Sequence, residues 1–184
     1  MTTITVAKKG GQIAIASDRL TTFGDTRLSA RYEPNAKIFK VKDTWIGIAG
    51  SSAHHHVIEH AFKKVDKPMF GNKTEIFDIM VRLHPLLKEH FFLNPKEEDD
   101  DPYESSQYVL LMANPSGIYG VYSYREVFAF ERFWSIGSGR CTRRGTKGKP
   151  DAKWPRPAAM PAASSTKILP HRSRCTPSRQ GRTP

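Results

Sequence analysis

The sequence predicts a layered α+β fold rich in antiparallel strands, on three observations. Two strand-like runs near the N terminus, residues 2–6 and 12–18, flank a Gly10-Gly11 hairpin signal. Apolar residues at Ile76, Ile79, Met80, Leu83, Leu86 and Leu87 repeat at the 3.6-residue period of an amphipathic helix. Three further strand-like runs lie between Gln107 and Phe130.

The elements follow in order. Thr2-Thr3-Ile4-Thr5-Val6 opens the first strand, and Gln12-Ile13-Ala14-Ile15-Ala16-Ser17-Asp18 pairs back on it. Residues 21–34 are polar and turn-rich and read as a loop. Lys37-Ile38-Phe39-Lys40-Val41 alternates as a half-buried strand, Lys42-Asp43 turns, and residues 44–49 form a mostly apolar strand buried on both faces. Gly50-Ser51-Ser52 ends that strand and caps a helix reaching about residue 65. The second helix covers residues 75–92, with Pro85 removing one backbone bond and inviting a kink. Together the two helices cover one face of a sheet. Residues 94–106 are a polar, acidic loop. Residues 107–113, 117–122 and 126–130 are strands of a second sheet.

Charge divides the chain of 184 residues in two. The net charge is +11, yet residues 141–184 hold 11 of the 29 basic residues and one of the 18 acidic ones, so the first 140 are nearly neutral. The same tail holds seven of the 13 prolines and both cysteines, Cys141 and Cys175, and its only large aliphatics are Ile168 and Leu169. Such a segment buries too little apolar surface to offset its ordering entropy, and disorder is expected. The domain reading is therefore residues 1–140 as one incomplete folded domain and residues 141–184 as a basic Pro/Arg/Ser-rich tail. Text of this composition is also what GC-rich DNA yields when read out of frame. Reading the codons in the other two frames tests that hypothesis; no apolar, helix-forming continuation in either would sink it. No signal peptide or apolar run of membrane-spanning length is present, and a cytoplasmic location is the expectation.

The chemistry starts at the second residue. A small residue after Met1 favours removal of the initiator, which leaves Thr2 with a free α-amine and a hydroxyl. That pair is a nucleophile with a built-in base. The amine's reference pKa of roughly 7.7–8.0 leaves a large share unprotonated near neutrality. Other clusters read more plainly. His54-His55-His56 with His60 fan around a helix, and no Cys, Asp or Glu completes a metal set. Glu97 to Asp101 lacks the spaced ligands and glycine of a Ca²⁺ loop and reads as a solvated acidic stretch. No metal and no cofactor is expected.

Four fragments in order then carry a resemblance: Met1-Thr2-Thr3-Ile4, Ile15-Ala16-Ser17-Asp18-Arg19, Asn35-Ala36-Lys37-Ile38-Phe39 and Ile48-Ala49-Gly50. They resemble the N-terminal half of proteasome β-type subunits, most nearly the propeptide-free bacterial homologues similar to HslV-type peptidases. Trp134 to Gly139 resembles the Gly-Ser-Gly segment of the same subunits, so the likeness spans about residues 2–140. It implies an Ntn-hydrolase αββα sandwich, two antiparallel sheets between helix layers. It also implies roles: Thr2 as nucleophile, Asp18 and Lys37 flanking it, Ser138 bonding the terminal amine, and the Gly50 N–H forming the oxyanion hole. An ammonium beside the hydroxyl lowers the cost of an alkoxide and keeps the amine neutral, while the carboxylate fixes the lysine. Lys37 comes a few residues later than the family's offset; extra length within residues 21–34 absorbs this, because the Asn-Ala-Lys-Ile-Phe context is kept. The family's further Asp–Ser pair and two covering helices belong in the portion the tail replaces, so the C-terminal part is expected to be missing.

The implied function is a threonine-type endopeptidase subunit of a self-compartmentalising protease. Its partners would be peptide or unfolded-protein substrates, identical subunits in a ring, and an ATP-dependent unfoldase, with no membrane. The alternatives are a catalytically inactive or truncated structural subunit, and a different Ntn amidase acting on small amides. A nucleic-acid-binding protein working through its basic tail is a further one, and it predicts salt-dependent binding lost with the tail.

Overall fold

In the computed structural model, residues 2–28, 31–32, 36–94, 103–139 and 165–170 are described. Strand β1 (Ile4–Lys9) turns through Gly10 and Gly11, both at positive φ, into β2 (Gln12–Ser17). Two successive positive φ values suit the tight hairpin turn that follows strand twist. The first strand begins at Ile4 and runs to Lys9, three residues beyond the predicted end.

Residues 21–34 were expected to be a loop, and here the structure differs. Thr21–Phe23 (β3) and Thr26–Leu28 (β4) form a small antiparallel hairpin about Gly24-Asp25. Its residues are mostly polar, so no alternating apolar pattern announces it. Strands β5 (Ile38–Val41) and β6 (Thr44–Gly50) follow as predicted, joined at Lys42 in the left-handed region.

Helix α1 (Ser52–Lys64) starts after Ser51, whose extended backbone occupies the N-cap position without a side-chain bond. Helix α2 (Lys73–Phe91) is better capped. Asn72 Oδ1 accepts from the Glu75 N–H at 3.0 Å, while the Glu75 carboxylate accepts from Asn72 Nδ2 at 2.9 Å and the Gly71 N–H at 2.7 Å. The helix runs through Pro85 and ends at Phe92 in the left-handed conformation.

Strands β7 (Tyr108–Asn114), β8 (Gly117–Val121) and β9 (Val127–Phe130) complete a five-stranded antiparallel sheet of order β5-β6-β7-β8-β9. Buried Asn114 closes the β7–β8 turn: its Oδ1 accepts from the Ser116 and Gly117 N–H groups, and its Nδ2 donates to the Phe70 carbonyl at 2.7 Å. Two further strands, besides β3 and β4, were not expected from the sequence. Strand β10 (Phe133–Ile136) pairs with β1, and β11 (Ser165–Pro170) pairs with β2, giving a four-stranded sheet of order β10-β1-β2-β11. Strand β11 contains Ile168 and Leu169, the tail's two large aliphatics, so this piece of the tail is a strand rather than unstructured chain. The remaining tail and residues 95–102 of the acidic loop lie outside the described residues.

The layers follow from two cores. One joins α1 and α2 to the five-stranded sheet through Ile58, Phe62, Ile79, Leu83, Ile46, Ile48, Leu110 and Met112. The other lies between the sheets, where Ile4, Val6, Ile13 and Ile15 meet Ala49, Leu111, Ala113 and Ile118. Strands β6 and β7 thus divide their alternate residues between the two cores. Among the described residues there is one helix layer, and no helix is long and apolar enough to cross a membrane.

Candidate active site

The β1–β2 hairpin sets the register that builds the site. Ile4 pairs with Ser17, which brings Asp18 alongside Thr3. The Asp18 N–H donates to the Thr3 carbonyl at 3.1 Å, and the Thr3 N–H donates to Asp18 Oδ1 at 2.7 Å. Asp18 Oδ2 also accepts from the Leu20 N–H at 3.3 Å, so the carboxylate is held from two directions.

Lys37 enters from the residue before β5. Its carbonyl accepts the Ile48 N–H at 3.1 Å, which ties it to β6. Its ammonium is buried, with the side chain 3% exposed against 27% for Asp18. Four oxygens surround Nζ: Leu20 O at 2.7 Å, Asp18 Oδ2 at 3.1 Å, Asp18 Oδ1 at 3.2 Å and Thr2 Oγ1 at 3.3 Å. A buried cation demands such compensation. The arrangement aims a fixed positive charge at the Thr2 hydroxyl.

Strand β10 supplies the other side. Ile136 pairs with Ile4, so residues 137–139 continue alongside Thr2. The Thr2 nitrogen donates to Ser138 Oγ at 3.3 Å, and the Gly139 N–H donates to the Thr2 carbonyl at 3.0 Å. Thr2, Asp18, Lys37 and Ser138 are therefore joined by direct hydrogen bonds. Gly50 stands one strand over, at the exposed end of β6 and paired with Tyr108, two residues beyond the Ile48 that binds Lys37.

Sequence reasoning missed three contributors. The Leu20 carbonyl is one of them, since a backbone acceptor leaves no mark in the side-chain text. Gly139 was noted only as a companion of Ser138. The third is the inner face of α1: His54 and His55 are buried, each with an unpartnered Nδ1, and His54 meets Tyr108 edge-on with ring centroids 5.9 Å apart. Burial lowers the pKa of both; that of His55 falls to about 4, with the Lys37 charge as the next cause. His56 and His60 face solvent on the same helix, and the described residues bring together no three-ligand metal cluster.

No family model and no curated protein sequence matches the chain. Solved structures do. BPH of Thiobacillus denitrificans, in complex with epoxomicin, is 30% identical with a TM-score of 0.78, the match covering 93% of this chain and 100% of that one. The chain belongs to the proteasome β-type, HslV-like family. A second BPH structure is 31% identical with a TM-score of 0.77, covering 91% of this family member and 97% of BPH. HslV from Trypanosoma brucei, at 20% identity and a TM-score of 0.58 over 92% and 99% of the two chains, shares the fold. The layers described above are those of the Ntn-hydrolase fold, a proteasome-type protease fold.

Proposed function

We propose that this chain is a threonine-type endopeptidase subunit, with Thr2 as its nucleophile once Met1 is removed. The observation that carries the reading is the Lys37 ammonium 3.3 Å from Thr2 Oγ1 while anchored on Asp18. Removal of Met1 turns the Thr2 nitrogen into an amine beside Ser138. The hydroxyl proton passes to that amine as Oγ1 attacks the substrate carbonyl, and the Lys37 charge favours the developing alkoxide. The Gly50 N–H receives the oxyanion. The tetrahedral adduct collapses with cleavage of the C–N bond, the leaving amine takes the proton, and an ester remains on Thr2. Water adds to that ester with the amine again accepting the proton; the acid product leaves and Thr2 Oγ1 is reprotonated.

Identical copies assemble into a ring that encloses these sites, and an ATP-dependent unfoldase delivers unfolded chains to it. The HslV-like relatives support a ring assembly acting on peptides; the identity of its copies and the unfoldase rest on the family resemblance alone. Native mass spectrometry should find a closed oligomer; a monomer at micromolar concentration would remove the ring from the reading.

The test of chemistry is intact mass before and after an epoxyketone. Loss of Met1 and a single adduct on Thr2 is the expected result. A chain that has lost Met1 and takes no adduct would be a silent subunit.

A further inference from the structure

We propose that Gly137 and Gly139 are positioning residues for Thr2, because their missing side chains let residues 137–139 close on the main chain of Thr2 and Thr3. The proposal rests on the reading of Thr2 as nucleophile, and concerns what holds that residue still.

A chain terminus frays unless it is tied down. Here its backbone groups are taken in turn: the Thr2 carbonyl by Gly139, the Thr3 N–H by the Asp18 carboxylate, and the Thr3 carbonyl by the Asp18 N–H. The Asp18 side needs only strand register. The opposite side needs space no other residue leaves. A Cβ on Gly139 would lie 2.0 Å from Thr3 Oγ1 and 3.3 Å from Thr3 Cβ. A Cβ on Gly137 would lie 2.2 Å from the Thr2 carbonyl oxygen, and its φ of +91° is one that side-chain-bearing residues rarely adopt. The two glycines therefore meet different obstacles. Gly139 faces a side chain that can be shortened, whereas Gly137 faces backbone that cannot.

That difference makes the proposal sharp. Gly139→Ala should push residues 137–139 away from Thr2, and adding Thr3→Ala removes the obstructing hydroxyl and lets them return. Gly137→Ala has no side-chain rescue. The displacement turns the Thr2 hydroxyl away from Lys37 without touching the substrate side of the site. The loss should fall on the rate of covalent capture, not on probe affinity. A misplacement near 1 Å costs reactions of this kind about 100-fold.

The experiment is a double-mutant cycle with two readouts, epoxyketone capture and hydrogen exchange at the residue 139 amide, on variants that melt cooperatively. Expected is slow exchange in the wild type, faster exchange and about 100-fold slower capture in Gly139→Ala, and return of both in Gly139→Ala/Thr3→Ala. Rescue is what a general loss of stability would not produce. Wild-type exchange as fast as that of an exposed amide overturns the proposal, whether or not the variants fold. So does a double variant no better than Gly139→Ala. If the wild type takes no probe while exchange follows the expected pattern, the nucleophile reading fails and the grip on Thr2 stands.

Discussion

Lys37 places one buried ammonium between the Thr2 hydroxyl and the Asp18 carboxylate. Lys37→Ala removes that charge and leaves Asp18 without its cation; capture of an epoxyketone should fall by about 10²–10³-fold, the range for losing a preorganised electrostatic contact. An unchanged capture rate would take Lys37 out of the chemistry. Lys37→Arg should not restore the rate, because a planar fork does not fit four oxygens around one nitrogen. His55 carries a different prediction. Burial, then Lys37, His56 and His54, hold its pKa near 4 against an ordinary 6.5. The folded chain thus binds fewer protons than the unfolded chain between those values, so the His55 contribution to stability is full above pH 6.5 and is lost as pH falls toward 4. The change amounts to about 3.5 kcal/mol at most, from a fall of 6.5 to about 4 at roughly 1.4 kcal/mol for each unit. Urea unfolding at pH 7, 5.5 and 4.5 should show that slope in the wild type and a shallower one in His55→Gln. Equal slopes would mean His55 is as easily protonated folded as unfolded.

Helices and sheets were legible where their signal is local. The stripe through Ile76, Ile79, Met80 and Leu83 is the face α2 buries, and the run read as a strand at residues 37–41 is β5, which the fold places at an edge of the larger sheet. Strand β10 was not legible, because Phe133 is exposed and Trp134 and Ser135 are half-buried, which blurs any alternation. The site's local signal stops at Thr2 behind Met1. Thr2 meets residues 35 and 136 positions away, and neither periodicity nor turn chemistry reaches that far. Those partners came from family likeness alone. The N terminus of α2 was expected at residue 75 and lies two residues earlier, at Lys73, because Asn72 and Glu75 form a reciprocal cap that an apolar stripe does not mark; the cap yields a quantitative expectation. Asn72→Ala should cost about 1 kcal/mol in chemical denaturation with an unchanged denaturant slope. A loss under a few tenths would show that the Glu75 carboxylate caps Gly71 well enough alone.

The pairing of β11 with β2 joins the tail to the sheet whose strand β1 follows Thr2. Cutting the chain after Arg140 would bare one edge of β2, so its amides should exchange faster and the shortened chain should associate more readily. Identical exchange in long and short chains would show that β11 contributes nothing in solution. The grip on Thr2 has a further consequence, which belongs to synthesis rather than catalysis. A ribosome makes this chain from the end that carries the hydroxyl, yet the last residues holding that end in place, Ser138 and Gly139, emerge more than 130 positions later. Until then Thr2 has Lys37 and the Asp18 side of its strand, but neither Ser138 on its nitrogen nor Gly139 on its carbonyl. A nascent or half-folded copy therefore carries every atom of Thr2 without the full alignment it has in the finished fold. On the role proposed for Thr2, arming the site waits until the last of its partners has been made.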